Sequence, residues 1–180
     1  MIIRDSEYKV PPISRISIRG YTEQIRKVLG VRTLKFPIME FVEFSLPEID
    51  SDFSFEIGTF EEMGGHYGLT IPSEKRMIIR EDVYINACNN NGRDLFTVAH
   101  ELGHYLMHGS LSRVSKSTVI KAFESSEWQA NCFASELLIP VNHPDIIKLS
   151  VSDIMYYCCV SRQAAEIAYN NIHNKKKHLK

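Results

Sequence analysis

Residues 93–108 constrain this chain more than any other stretch of it. Leu95, Val98, Ala99, Leu102 and Leu106 fall at i, i+3, i+4, i+7 and i+11, the repeat that lines one side of an α-helix. A turn signal, Asn89-Asn90-Asn91-Gly92, precedes the run; Asp94 is placed to cap it and Gly109 to end it. A helix with one apolar stripe must bury that stripe, so the fold has to be built against it. The same helix carries His100, Glu101 and His104, with both histidines off the stripe. Positions i and i+4 lie about 5–6 Å apart on one helix face, close enough for two imidazoles to share one metal ion. Glu101 is about 100° further round the helix, which sets it beside such an ion and not in its coordination sphere.

Around this helix the texture of the chain changes twice. Ile25, Val28 and Leu29 predict a short helix over 21–29, stopped at Gly30. From residue 36 to 85, β-branched and aromatic clusters separated by turn residues predict strands at 41–44, 53–57, 69–71 and 77–85. After the metal-binding pattern a second helix is predicted from Ser126, where Ser126 and Gln129 have capping-box spacing. Ala130, Phe133, Ala134, Leu137 and Leu138 form its stripe, and Pro140 closes it. Helical stretches follow at 144–149 and 153–158, then a turn at Cys159 and Val160 and a last helix over 161–173. The expected class is α+β: a small sheet with two long helices over residues 1–140, and a helical extension over 141–180 packed on it.

A formal net charge of −1 gives no general attraction to nucleic acid or anionic lipid. Lys175, Lys176, Lys177 and Lys180 read as a solubilising tail. No apolar run approaches the roughly 20 residues a membrane helix needs, and Arg4, Asp5 and Glu7 interrupt any leader-like core, so a cytoplasmic protein is expected. The four cysteines, Cys88, Cys132, Cys158 and Cys159, show no Cys-x-x-Cys pairing and include two neighbours, which favours reduced thiols.

Two neutral imidazoles, a carboxylate and an open fourth position are the usual set for catalytic zinc. A third ligand has to come from elsewhere, and Glu127, Glu124, Glu136, His108, His66 and His143 are the candidates. Glu127 is preferred, because it opens the second helix and has Asn131 at i+4, placed to hydrogen-bond the far nitrogen of a ligating histidine. His108 would sit about 12 Å along the axis from His100, too far for both to reach one ion, and reads as a helix-end residue favoured by the dipole. Zinc acidifies water and polarises a carbonyl, and Glu101 is placed to take the proton, so the implied reaction is peptide-bond hydrolysis. Candidates for stabilising the oxyanion are Tyr105, His66, Tyr67 and His143.

His100-Glu101-Leu102-Gly103-His104 with His108 beyond it, together with Glu127-Trp128-Gln129-Ala130-Asn131 running on to Pro140, resembles the ImmA/IrrE family of metallopeptidases. The resemblance implies a minimal zincin-like domain binding one zinc ion, with Glu127 as third ligand. It further implies a specific protein substrate, commonly a cognate helix-turn-helix repressor, in an antirepressor or toxin–antitoxin role. Gln129 departs from the family, which often has a second glutamate there; a neutral amide supports Glu127 as ligand and leaves Gln129 a capping role. The alternative reading is a non-catalytic or slow zinc-binding scaffold acting through protein–protein contacts. The segment 152–172 has the shape of a helix-turn-helix, but Arg162, Gln163, Asn170 and Asn171 are diluted by Glu166 and Tyr169. That argues for packing or partner docking over direct DNA reading.

Overall fold

The computed structural model describes residues 8–109 and 120–174, so the lysine-rich C-terminal tail lies outside the described residues. Helix α1 (Arg15–Val28) starts where the Ser14 side chain accepts from Ser17 N–H and ends on Gly30, which takes a positive φ of 68°. It begins six residues before the span 21–29 that the apolar spacing indicates, since its buried residues are Ile18, Thr22 and Arg26.

The segment expected as a first strand is helical instead. Helix α2 (Ile38–Glu40) runs through a π-helical turn (Phe41–Ser45) into helix α3 (Leu46–Ile49). Its buried residues Ile38, Met39, Phe41, Val42 and Leu46 repeat at helical intervals while Phe44 faces solvent. Aromatic content suggested a strand here, but it is the spacing of the apolar positions that decides.

Three strands make the sheet, in the order β1-β3-β2: β1 (Ser54–Gly58), β2 (Gly68–Ile71) and β3 (Arg76–Arg80). Strand β3 is central, parallel to β1 and antiparallel to β2, and Met77 and Ile79 point from it into the core. Helix α4 (Phe60–Met63) lies on the connection from β1 to β2 and opens with a Thr59–Glu62 capping box. The expected strand 77–85 is cut short at Arg80, because helix α5 (Glu81–Cys88) follows directly. Glu81 and Asp82 suit a helix N-terminus, and burial switches from alternation at Met77 and Ile79 to the i, i+4 pair Val83 and Ala87.

Helix α6 (Gly92–His108) is capped by Asn91, whose side chain accepts from the N–H groups of Arg93 and Asp94; Asp94 belongs to its first turn and is not the cap. Helix α7 (Ser126–Leu138) is capped by Ser125, which accepts from Trp128 N–H, in place of the expected Ser126–Gln129 box. Leu95, Val98, Ala99 and Leu102 of α6 and Ala130, Phe133, Ala134 and Leu137 of α7 are almost wholly excluded from water. Each large side chain so buried contributes about 1.5–3 kcal/mol. An added Cβ on Gly103 would lie 3.2 Å from the Ala130 Cα and 3.1 Å from a Phe133 ring carbon, so the absence of a side chain at 103 sets the helix spacing. Helix α1 covers the other side of α7, where Arg15 and Arg19 both pair with the buried Glu136.

Of the expected stretch 144–149 only a 3-10 turn (Ile146–Lys148) forms. Helix α8 (Val151–Cys158), with a Ser150–Asp153 capping box, and helix α9 (Arg162–Asn174) meet at a tight turn where Cys159 adopts a left-handed φ of 53°. Ile154, Cys158, Val160, Ala165 and Ala168 join the same core as α6 and α7. The turn sits directly on the start of α6: a Cβ on Gly92 would be 2.5 Å from the Val160 carbonyl carbon. Among the described residues no helix is long and apolar enough to cross a membrane, and all four cysteines are free thiols.

Candidate metal centre

Helices α6 and α7 bring three side chains to one point. His104 Nε2 lies 3.0 Å from His100 Nε2; Glu127 Oε2 is 3.3 Å from His100 Nε2 and Glu127 Oε1 is 3.2 Å from His104 Nε2. Donors about 2.0–2.1 Å from a tetrahedral ion stand about 3.3 Å from one another, so these edges are those of a zinc-sized site. Among the described residues His100, His104 and Glu127 form the cluster able to hold a metal ion. The donors are two imidazoles and a carboxylate, the chemistry zinc prefers, and the Glu127 side chain is 35% exposed, which leaves one side open to solvent and substrate.

The electrostatics agree with the geometry. Hydrogen bonding to His100 and His104 holds the Glu127 carboxyl far below the usual carboxylate range, against the opposing effect of its burial. Burial disfavours a charged His100, yet the carboxylates of Glu127 and Glu101 and the hydrogen bond to Asn131 outweigh it and raise the His100 pKa. Asn131 Oδ1 lies 3.1 Å from His100 Nδ1, where the spacing of Glu127 and Asn131 places it.

Glu101 is turned onto strand β2. The Thr70 hydroxyl donates to Glu101 Oε2 at 2.7 Å, and the Glu101 backbone carbonyl lies 3.0 Å from the same hydroxyl. Gly68 provides the room: a Cβ there would be 2.6 Å from Glu101 Cγ and 3.1 Å from Oε1. Neither Thr70 nor Gly68 is visible in the sequence as a site residue, since nothing local ties a strand residue to a helix 31 positions later.

The other ligand candidates are engaged elsewhere. Glu136 is taken by Arg15 and Arg19, Glu124 pairs with Lys9, and His143 Nε2 lies 3.1 Å from the Arg32 carbonyl. His66 lines a separate cavity with Glu56, Met63 and Arg76. Among the oxyanion candidates, Tyr105 donates to Asp50 Oδ2 at 2.7 Å, and burial together with that carboxylate pushes its pKa up to about 12. Tyr67 is engaged by Arg80 and Arg93, whose guanidinium groups lie 4.4 Å and 5.0 Å from the centre of its ring.

His108 corrects the sequence reading. It is 2% exposed, with its Nδ1 3.1 Å from His104 Nδ1 and its Nε2 3.2 Å from Gln129 Oε1. Burial first, and the neighbouring His104 second, lower its pKa to about 4, so it is neutral and not a cation at the helix dipole. Gln129, expected as a cap, is buried beneath it.

Comparison with known families decides the affiliation. The peptidase family described as the IrrE N-terminal-like domain matches residues 26–168, most of the chain. The protein belongs to this family. The matched span contains α6, α7 and the whole sheet, so the cluster lies within the part that defines an IrrE-like peptidase domain. No curated protein matches the chain.

Proposed function

We propose that this IrrE-like protein is a zinc-dependent metallo-endopeptidase, with His100, His104 and Glu127 as metal ligands and Glu101 as the proton acceptor. The observation that carries the reading is the set of 3.0–3.3 Å edges among the three donor groups, with a second acid, Glu101, on the helix that carries the two histidines. When bound, zinc supplies a Lewis acid that acidifies water and polarises the scissile carbonyl. The chain's own residues do the rest. Glu101 receives a proton from water on its carboxylate and returns it to the leaving amine. Thr70 holds Oε2 of that carboxylate, which fixes the orientation of the second oxygen. Asn131 holds His100 by its outer nitrogen, so the imidazole meets the centre edge-on through Nε2.

The substrate we propose is a specific protein, a cognate helix-turn-helix repressor, cut in an antirepressor or toxin–antitoxin role within the cytoplasm. Support comes from the family resemblance and from free thiols at all four cysteines. Helix α9 offers little to DNA, because Arg162 is paired with Glu166 at 2.8 Å, and we propose that α8 and α9 serve packing and partner docking. Purified protein is expected to carry about one zinc ion per chain and to cut the repressor encoded beside it. Glu101→Gln is expected to keep the metal and lose cleavage; normal cleavage by that variant would end the mechanism.

A further inference from the structure

The buried face behind His104 is a chain of hydrogen bonds whose direction can be worked out from one end. The Gln129 amide nitrogen lies 2.8 Å from the Pro11 carbonyl and 2.9 Å from the Phe123 carbonyl. Carbonyls only accept, so this atom is the NH2 group and both of its hydrogens are committed. Gln129 Oε1 is therefore an acceptor, and the nitrogen 3.2 Å from it, His108 Nε2, must carry a hydrogen. A neutral imidazole has one N–H, which leaves His108 Nδ1 bare. That bare nitrogen sits 3.1 Å from His104 Nδ1, which must then be the donor. His104 thus turns its other nitrogen, Nε2, to His100 and Glu127.

We infer that Gln129 and His108 are positioning residues that hold a hydrogen of His104 on Nδ1, and so aim its Nε2 at the metal centre as the nitrogen a metal ion would take. The inference rests on the metal-site reading above, but the Nδ1–H of His104 belongs to the metal-free protein as well. The arrangement is anchored at both ends of the fold. Pro11 belongs to an N-terminal segment held by Val10 N–H on the Glu124 carbonyl at 2.8 Å and by Ser126 N–H on the Tyr8 carbonyl at 3.1 Å, and the Tyr8 ring meets His108 edge-on with centroids 6.0 Å apart. His100 lacks such a relay and has Asn131, one residue, in its place. The two ligating histidines are thus oriented by different means: one by a neighbour on α7, the other by a buried path reaching the N-terminal segment. The his-tidine spacing of four between His104 and His108 gains a reason here, since i+4 on α6 stacks one imidazole behind the other with centroids 5.2 Å apart.

The test is a two-bond proton–nitrogen correlation spectrum of the full-length protein labelled with nitrogen-15 histidine, recorded without metal and with zinc. His104 is expected to carry a hydrogen on Nδ1 and His108 on Nε2 in both samples. Gln129→Leu removes the terminal acceptor and is expected to give mixed tautomers at His108 and His104, with His100 unaffected, and to weaken zinc binding in a chelator competition by about 10–100-fold. Gln129→Glu restores an acceptor and is expected to restore the wild-type tautomers. A His104 with no hydrogen on Nδ1 in the metal-free wild type would overturn the inference, as would unchanged tautomers and zinc affinity in Gln129→Leu. If Gln129→Leu does not fold, the wild-type spectrum still decides. A protein that shows these tautomers and binds zinc but cleaves nothing would sink the peptidase proposal and leave the relay standing.

Discussion

Replacing Gly68 by alanine separates proton transfer from metal binding. The new Cβ would lie 2.6 Å from Glu101 Cγ and 3.1 Å from its Cδ and Oε1. Carbon atoms in contact stand about 3.5–4.0 Å apart, so the Glu101 side chain has to retreat by about 1 Å. It is the side chain that yields, because the alternative is to separate β2 from α6. A displacement of about 1 Å in a reacting group costs about 100-fold in rate, and complete loss of a general base costs up to about 10⁴-fold. The fold should hardly notice. The Thr70–Glu101 hydrogen bond, worth about 0.5–1.5 kcal/mol, is lost, while alanine in a strand recovers about 0.5–1 kcal/mol of the backbone entropy that glycine forfeits. The melting temperature should therefore move by less than about 4 °C.

The assay is single-turnover cleavage of the repressor, read beside zinc content and a thermal melt. Gly65→Ala is the control, since a Cβ there meets nothing within 4 Å. The expected result is a Gly68→Ala protein that keeps its zinc and its stability and loses at least about 100-fold in cleavage rate. Cleavage at the parental rate by a folded, zinc-loaded Gly68→Ala protein would refute the view that the fit of Glu101 against β2 governs the reaction.

Three further outcomes are expected. Glu127→Gln should weaken zinc binding, measured by chelator competition, by more than the 10–100-fold typical of a residue that only supports a ligand; unchanged affinity would remove Glu127 from the coordination sphere. Glu136→Ala strands Arg15 and Arg19, and because the Arg15 side chain is 36% exposed the loss should fall below the roughly 3–5 kcal/mol of a fully buried pair, at about 2–3 kcal/mol in denaturant unfolding. Gly92→Ala drives a Cβ to 2.5 Å and 2.6 Å from backbone atoms of Val160 and Ser161, which cannot rotate away, so it should cost about 1–3 kcal/mol. Gly20→Ala, with nothing within 4 Å, should cost far less in the same melt.

The parts of this protein that were legible in the sequence are those governed by short-range spacing. The stripe of α6 and the pair His100 and His104 follow from the 3.6-residue period, and the Glu127–Asn131 pair from the same rule applied to α7. Residues 41–44 of the helical segment 38–49 resemble a strand in composition because of their aromatic residues, although the burial of Ile38, Phe41, Val42 and Leu46 is helical. The caps were misplaced by one to three residues: Asn91 and Ser125 hold the helix starts, and side chains of similar capping strength crowd both sites. Thr70 and Gly68, and the support that Gln129 gives His108, are hidden for a different reason. Their roles depend on which strand lies beside α6 and which carbonyls end up near α7, and long-range neighbours leave no periodic trace. His108 was seen but assigned to the helix dipole, because its partner Gln129 becomes apparent only once α6 and α7 are packed.

That packing also explains how the core positions the three donor groups. Gly103 lets α7 approach until Ala130 and Phe133 touch α6, and Glu127 lies one turn before Ala130 on the same helix, so the helix spacing that closes the core also sets the Glu127–histidine edges. The ligands are held by groups outside the coordination sphere: Asn131 behind His100, and His108 with Gln129 behind His104. In the proposed function a zinc ion would accordingly supply chemistry to a site shaped by the core, in contrast to small domains in which binding and folding are one event.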